Sequence, residues 1–310
     1  PYGVASFFNS MQKAEGIPDN ELRYTNEEVE LFRQGTQPGY RGTDWHDVLL
    51  KNNAPSYQHN INASGGNKNM NYFVNIGRLD QNSLLESGAG KFERWTFGAT
   101  VEANITNNHT VGMDLKYRIE DRDNPTGGEG RDGYESFFRF LLYGDPTIEQ
   151  NPDGLLTATG VNSLQQNPIA YGDQDIAGFE KDNRKQFNLI FNADYSLPID
   201  GLSAKARVAY QSWNRSNRSA LFPWDQYKYD WDLQESQLID GSRDNEVSTY
   251  TIETNNLTTQ FSLNYAKKFG DHEISGLFLG ENRYSDRYRV DTRTTNLLTT
   301  SIPYVFNASG

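Results

Sequence analysis

The stretch RWTFGATVEANITNNHTVGMDLKYRIE, residues 94–120, decides the fold of this chain. Every second residue from Trp95 to Ile105 is apolar, and after a short polar break the alternation runs on from Val111 to Ile119. Side chains alternate between the two faces of a β-strand, so the stretch predicts an antiparallel hairpin with one apolar and one polar face. Each arm is about 11 residues long, which is what a tilted membrane-spanning strand requires.

The composition excludes several classes of protein. Hydrophobic residues make up 35% of the 310 residues and aromatic residues 13%, which is too few aliphatic residues for an ordinary α/β enzyme and too many rings for disorder. The net charge of −12, without any run of Lys or Arg, argues against nucleic acid as a partner. Cysteine is absent, which excludes disulfides, thiol catalysis and cysteine-ligated zinc. No run of 18 apolar residues predicts a transmembrane helix.

The pattern changes near residue 55. Residues 1–55 predict a partly helical extracellular loop region. Residues 56–310 predict a portion of a transmembrane β-barrel with about eight long strands and long loops at 121–184 and 214–255. The chain begins at Pro1 without a signal peptide, so we interpret it as an excised fragment or a processed form.

The order of the connections indicates a barrel. The predicted short connections are residues 66–69, 106–109, 198–201 and 270–271. The predicted long connections are residues 81–90, 121–184, 214–255 and those after 288. Short and long alternate without exception, which outer-membrane barrels require and a soluble sandwich does not. We therefore predict an all-β fold, a partial antiparallel up-and-down barrel in the cell outer membrane, with short periplasmic turns and long extracellular loops that carry short helices.

This fold assigns the two faces of the hairpin. Val101 and Leu115 are expected to contact outer-membrane lipid, whereas Glu102, Asp114 and Lys116 are expected to line the lumen. Aromatic residues stand near strand ends on the apolar face, at Trp95, Tyr117, Tyr195, Tyr210 and Tyr265. They suit aromatic girdles at the two membrane interfaces, although aromatic residues are also good strand formers in any sheet.

Short motifs stand out between about residues 41 and 120. They are Thr43-Asp44-Trp45, Gln58-His59-Asn60, Ser64-Gly65-Gly66, Tyr72-Phe73-Val74, Gly77 and Arg94. Together with the alternating strands, they resemble the early barrel region of SusC/RagA-type TonB-dependent transporters of Bacteroidota. The motifs consist mainly of turn glycines and an interfacial tryptophan, so the resemblance assigns a fold and no functional residue.

The resemblance implies a barrel of about 22 strands with a plugged lumen. Such a barrel imports oligosaccharides or peptides with energy from TonB, and a SusD-like surface lipoprotein covers it as a lid. We expect TonB to act through parts outside this fragment, since the chain shows no plug domain and no TonB box. A siderophore or cobalamin receptor is an alternative within transport, and a secreted β-rich binding or adhesion module is an alternative from another class.

One stretch of the second long loop predicts a ligand-binding site. Its candidate residues are Trp224, Asp225, Tyr227, Tyr229, Trp231 and Asp232. Aromatic rings beside carboxylates can stack on sugar rings and accept hydrogen bonds from hydroxyl groups. The other interpretation is that these rings pack the loop against its neighbours or against the lid.

Catalytic and metal-binding patterns are missing from the sequence. The four histidines are far apart, and there is no HExxH, GxSxG, P-loop or GxGxxG motif, so we predict neither enzymatic activity nor a cofactor. Calcium is the one metal considered. Its candidate ligands are Asp121, Asp123, Asn124, Glu129 and Asp132. Their spacing departs from an EF-hand loop, which favours a solvated acidic loop.

Overall fold

The computed structural model describes residues 1–126, 133–160, 166–241 and 244–307. Its strands are β1 (Ser56–Gly66), β2 (Met70–Gln81), β3 (Lys91–Thr106), β4 (His109–Pro125), β5 (Phe179–Ser196), β6 (Leu202–Leu221), β7 (Gln226–Asp230), β8 (Glu235–Asp240), β9 (Glu246–Phe269) and β10 (His272–Thr295). Among the described residues, eight strands form one antiparallel sheet in the order β1-β2-β3-β4-β5-β6-β9-β10, and β7 pairs with β8 separately. The sheet is not closed within this chain.

The central hairpin forms as its alternation predicts. β3 and β4 pair in antiparallel register, with Val101 opposite Met113 and Ala99 opposite Leu115, and the register shifts only near the turn, between Asn104 and Thr106. Directly opposite residues of an antiparallel pair share a face, so the apolar residues of both arms lie together.

The strands run further than the alternation predicts. The first long loop was predicted at residues 121–184 and the second at 214–255, whereas the loops between sheet strands are residues 126–178 and 222–245. The polar residues that flank the alternating stretches still pair; Asp121, for example, lies opposite Asn183. The alternation of apolar and polar residues shows only that one face of a strand is apolar. It ends where both faces become polar, although the backbones of the two strands continue to pair.

The apolar face of the sheet is exposed. Ile61 is 70% exposed, Phe191 47% and Phe278 65%, although all three lie on the face that carries Val101 and Leu115. An exposed apolar surface this wide exceeds what a soluble monomer presents to water. This face therefore suits hydrocarbon better than water.

Helices gather at the long-loop end of the sheet. They are α1 (Tyr2–Ala14), α2 (Asn26–Gln34), α3 (Trp45–Leu49), α4 (Gly133–Leu141), α5 (Pro168–Gly172) and α6 (Gln174–Ala177), with a 3-10 turn at Asp19–Glu21. Thr25 caps α2 by accepting a hydrogen bond from the Glu28 backbone N–H, and Glu28 accepts one from the Thr25 backbone in return. None of the described helices is both long and apolar enough to cross a membrane.

Small buried clusters hold these helices and loops together. One contains Trp45, Leu85 and Phe137, which joins α3, the β2–β3 connection and α4. Another contains Ala5, Tyr24 and Phe32, which joins α1 to α2. A further cluster of Phe179, Ala220, Val247 and Leu297 covers the apolar face at its long-loop end. The long-loop end thus has protein cores of its own, while the apolar face around Val101 and Phe191 is left uncovered.

Candidate functional site

Trp224 lies in the interior of the long-loop end. Its side chain is 7% exposed and packs in a cluster with Phe140, Ala170, Tyr171 and Ala177. Its ring meets the Tyr171 ring edge to face, with centroids 6.2 Å apart. A ring enclosed on these sides offers no face to a ligand, so in this geometry Trp224 packs the loop.

The strand that follows Trp224 is fastened by the first long loop. The Tyr227 backbone pairs with residues 156 and 158, through an N–H donated to the Leu156 carbonyl and a carbonyl accepting from the Ala158 N–H, both at 2.8 Å. Asn151 adds a hydrogen bond from its amide nitrogen to the Tyr227 carbonyl and accepts one from the Tyr229 N–H, at 3.1 and 3.2 Å. Tyr227 and Tyr229 are therefore fixed through their backbones.

The tip of the β7–β8 hairpin carries the accessible part of the predicted site. Trp231 is half-buried against the backbone of Gly39, where an added Cβ atom would lie 2.8 Å from the indole ring. Tyr229 meets Trp231 edge to face, with centroids 4.8 Å apart. Asp232 is exposed, and its N–H donates to the Asp230 carboxylate at 3.0 Å. Asp225 lies at the base of the hairpin, beside Gly241.

A second tie links the hairpin to the first long loop. The Ser236 hydroxyl on β8 donates a hydrogen bond to the Asp153 carboxylate, with 2.5 Å between the oxygens. This hydrogen bond lowers the pKa of Asp153 below its ordinary value of 3.8. The tie therefore favours the ionised carboxylate.

The acidic residues considered for calcium have other partners where they are described. Asp121 accepts a hydrogen bond from Asn183, and Asp123 accepts one from Gln174 and lies 3.5 Å from the Lys181 amine. Glu129 and Asp132 lie outside the described residues. Within the described ranges, no group of three or more His, Cys, Asp or Glu side chains is arranged to hold a metal ion.

The polar face of the sheet carries two ion triads near the long-loop end. Asp182, which is buried, lies 2.6 Å from an Arg184 nitrogen and 2.8 Å from an Arg215 nitrogen. Glu120, also buried, lies 3.5 Å from Arg118 and 3.8 Å from Arg122. In each triad two guanidinium groups share one carboxylate.

Neither triad was predicted from the sequence. Within a strand, the triad residues occupy every second position, so the sequence does show that they share the polar face. The Glu120 triad lies within β4, whereas the Asp182 triad also needs the register between β5 and β6, which places Arg215 opposite Arg184.

Comparisons with known proteins give a consistent result. No protein-family model matches the chain. It is 24% identical over 141 residues to TonB-dependent receptor P26 of Formosa agariphila, covering 42% of this chain and 14% of that protein. It is 25% identical over 117 residues to TonB-dependent receptor SusC of Bacteroides thetaiotaomicron, covering 38% of this chain and 11% of that one. The chain thus matches a small part of the length of either relative.

Solved structures show the same architecture. The RagAB peptide importer in its 'open-open' state superposes with a TM-score of 0.68 at 16% identity, covering 99% of this chain and 34% of that one. The 'closed-closed' state gives 0.64 at 18% identity, covering 87% and 28%. The fold is that of a SusC/RagA-type TonB-dependent barrel. The predicted resemblance and the predicted outer-membrane location are therefore confirmed.

The SusC/RagA-type barrel gives each face of the sheet its surroundings. The apolar face with Val101 and Leu115 contacts lipid, and the polar face with the two triads lines the lumen. In the orientation usual for outer-membrane barrels, the short turns are predicted to be periplasmic and the β7–β8 hairpin and the helices extracellular. The curated relatives are named as receptors, which agrees with the prediction that the chain is not an enzyme.

Proposed function

We propose that this chain forms part of a transporter that imports oligosaccharides or peptides across the outer membrane with energy from TonB. The observation that carries the proposal is an antiparallel sheet whose apolar face is exposed and whose opposite face is charged, since a closed barrel in lipid gives both faces a compatible medium. The TonB-dependent receptors among its relatives support the energy source, and the solved neighbour described as a peptide importer supports import.

We also propose a SusD-like lipoprotein as the extracellular partner. Apolar side chains on the extracellular part support it, because Phe7 is 62% exposed, Leu142 76% and Leu233 64%. Large apolar side chains at the rim of a barrel, outside the lipid, suit contact with another protein. Co-purification of the lipoprotein with the full-length transporter should weaken when Phe7, Leu142 and Leu233 are replaced by Ser. Unchanged co-purification would argue against this surface.

The hairpin tip is the part of the predicted ligand site that a substrate can reach. We propose that Trp231 and Asp232 contact substrate, while Trp224, Asp225, Tyr227 and Tyr229 hold the hairpin in place. Trp231→Ala should weaken binding of oligosaccharide or peptide to the full-length transporter. Unchanged affinity after replacement of both Trp224 and Trp231 by Ala would contradict any ligand role for these rings.

Deletion and complementation test the transport function. A bacterium that lacks the gene for the full-length protein should fail to grow on at least one class of oligosaccharide or peptide, and the intact gene should restore growth. Growth should also require TonB. A full-length protein that is monodisperse without detergent would contradict the membrane assignment and favour a secreted binding module.

A further inference from the structure

The lumenal face is positively charged in a chain that is acidic as a whole. Six neighbouring strands each contribute four consecutive polar-face positions to one continuous block of the sheet, and all of these positions are described. They are every second residue of 92–98 in β3, 116–122 in β4, 182–188 in β5, 211–217 in β6, 250–256 in β9 and 285–291 in β10. The cations in this block are Arg94, Lys116, Arg118, Arg122, Arg184, Arg215, Arg287 and Arg289. Its carboxylates are Glu120, Asp182 and Asp291. Eight cations against three carboxylates give a formal charge of +5, whereas the chain carries −12. Asp114, at the next polar-face position, lies 3.4 Å from Lys116 and compensates that one cation.

The seven arginines of this block are called the arginine cluster below. Five of them share three carboxylates, so they are held in place without being fully neutralised. Asp182 serves both Arg184 and Arg215, and Glu120 serves both Arg118 and Arg122. Each triad therefore keeps one net positive charge. The carboxylates are buried while the arginine side chains are more exposed, so the uncompensated charge faces the lumen.

The strand register places several arginines of the cluster next to one another, which by itself lowers the stability of the sheet. Arg184 lies directly opposite Arg215 in the β5–β6 pair, and like charges at such positions destabilise a sheet. The guanidinium carbons of Arg215 and Arg289 lie 5.1 and 5.5 Å from the centre of the Tyr250 ring, which brings a third arginine to the same place. A bound anion would relieve the repulsion that these neighbours impose on one another.

Two arginines of the cluster have guanidinium groups that are available to bind a ligand. The guanidinium groups of Arg94 and Arg287 make no hydrogen bond or ion pair with any described residue, although both residues pair through their backbones within the block. Guanidinium groups bind carboxylate and sulfate oxygens in a two-pronged geometry that suits such groups better than neutral hydroxyls. A lumen wall of one charge sign also concentrates ligands of the opposite sign.

The neutral residues of the same block indicate the kind of anion. They include the amides Gln186, Asn188, Gln211, Asn217 and Asn256. Amide groups donate to and accept from sugar hydroxyls, and only a few apolar residues, Phe92, Trp213 and Ile252, stand among them in the block. We propose that the arginine cluster binds anionic oligosaccharides, which carry carboxylate or sulfate groups, on their way through the lumen. This inference rests on the proposed transport function.

Binding to the full-length transporter in detergent tests the inference separately from import. Suitable probes are tetragalacturonate, a chondroitin sulfate tetrasaccharide, neutral maltotetraose and the peptide tetraglutamate. Arg94→Gln and Arg287→Gln remove charge without stranding a buried carboxylate. Each should weaken binding of the anionic sugars by about tenfold, the usual scale of a lost charge-assisted hydrogen bond. Arg207→Gln is the matched control, since Arg207 lies on the same face but closer to the periplasmic end.

Each other outcome would overturn the inference. Equal affinity for neutral and anionic sugars would do so, as would tighter binding of tetraglutamate than of either acidic sugar. An equal loss of every probe together with a lower melting temperature would show that the arginines hold the barrel or its plug. Failure of the wild-type transporter to import any substrate would instead contradict the proposed function, because binding is measured without TonB.

Discussion

Arg78 lies directly opposite Trp95 on the lipid-facing side of the sheet, with its guanidinium carbon 5.0 Å from the centre of the indole ring. The same guanidinium lies 2.7 Å from Asp80 and 3.8 Å from Glu93, which occupy the next positions outward on that face. Apolar residues therefore give way to charged ones at this pair. A cation over an indole ring suits the headgroup level of a membrane, so Arg78 and Trp95 mark the outer boundary of the hydrocarbon layer.

A charge below this boundary should destabilise the folded barrel in lipid. Val101 lies six residues from Trp95 towards the periplasmic turn, near the middle of the apolar band, so Val101→Arg should cost about 2–4 kcal/mol of folding free energy in lipid. Thr100→Arg is the control, because Thr100 faces the lumen beside Asp114. Folding of the full-length protein into vesicles, titrated with urea, measures both. If Val101→Arg folds as well as the control, the lipid-facing assignment is wrong.

Labelling in whole cells should distinguish the two ends of the sheet. The chain has no cysteine, so single cysteines introduced into it report one position each. Cysteine at Leu233, on the hairpin tip, should react with an impermeant maleimide in intact cells. Cysteine at Asn108, in a short turn, should react only after the outer membrane is permeabilised. The reverse pattern would mean that the barrel is oriented the other way.

Removal of the Trp224 ring should loosen the extracellular part. Trp→Ala at a buried site costs about 3–5 kcal/mol, and here the loss falls on the cluster with Phe140 and Tyr171. Hydrogen exchange in α5 and in β7 should accelerate, while exchange in β3 and β4 stays slow. Trp224→Phe should recover most of the protection, because the indole N–H has no hydrogen-bond partner among the described residues and only ring volume is lost.

Acid should weaken the second tie between the hairpin and the first long loop, while the bonds at Tyr227 and Asn151 remain. Asp153 has a lowered pKa because Ser236 donates to its ionised form, so the tie is complete above the ordinary value of 3.8 and is lost as the pH falls through the lowered value. Hydrogen exchange in β8, corrected for the intrinsic effect of pH, should therefore accelerate below about pH 4. Ser236→Ala should remove this pH dependence and show fast exchange throughout. A pH dependence that survives in Ser236→Ala would assign it to another group.

The sequence predicts the sheet well because lipid imposes a strict alternation. Trp95 to Ile105 and Val111 to Ile119 show their faces directly, and the short turns show which strands pair. The last strand is harder, since Leu277 and Leu279 are out of phase with Ile274 and Phe278. Register resolves it: Phe278 lies opposite Leu263, and Leu277 lies opposite Asn264, on the lumenal side.

The predicted ligand site was less accessible to sequence reasoning. Trp224 and Trp231 look alike in the sequence, but one is buried among Phe140 and Tyr171 and the other lies half-exposed against Gly39. Those neighbours are distant along the chain, and no local pattern specifies them. The arginine cluster was hidden for the same reason, because its charge is apparent only when six strands are aligned.

The open edges of the sheet bear on how this barrel assembles. β1 and β10 each present a row of backbone N–H and C=O groups without a partner strand in the described sheet, over 11 and 24 residues. Hydrocarbon cannot solvate these groups, so the edges must stay away from lipid until other strands cover them. Every other strand pairs with neighbours that are close in chain order, which keeps loop closure inexpensive in entropy. The strands can therefore insert one hairpin after another. During insertion the unpaired backbone groups of β10, the longer edge, most need another protein surface to shield them from lipid.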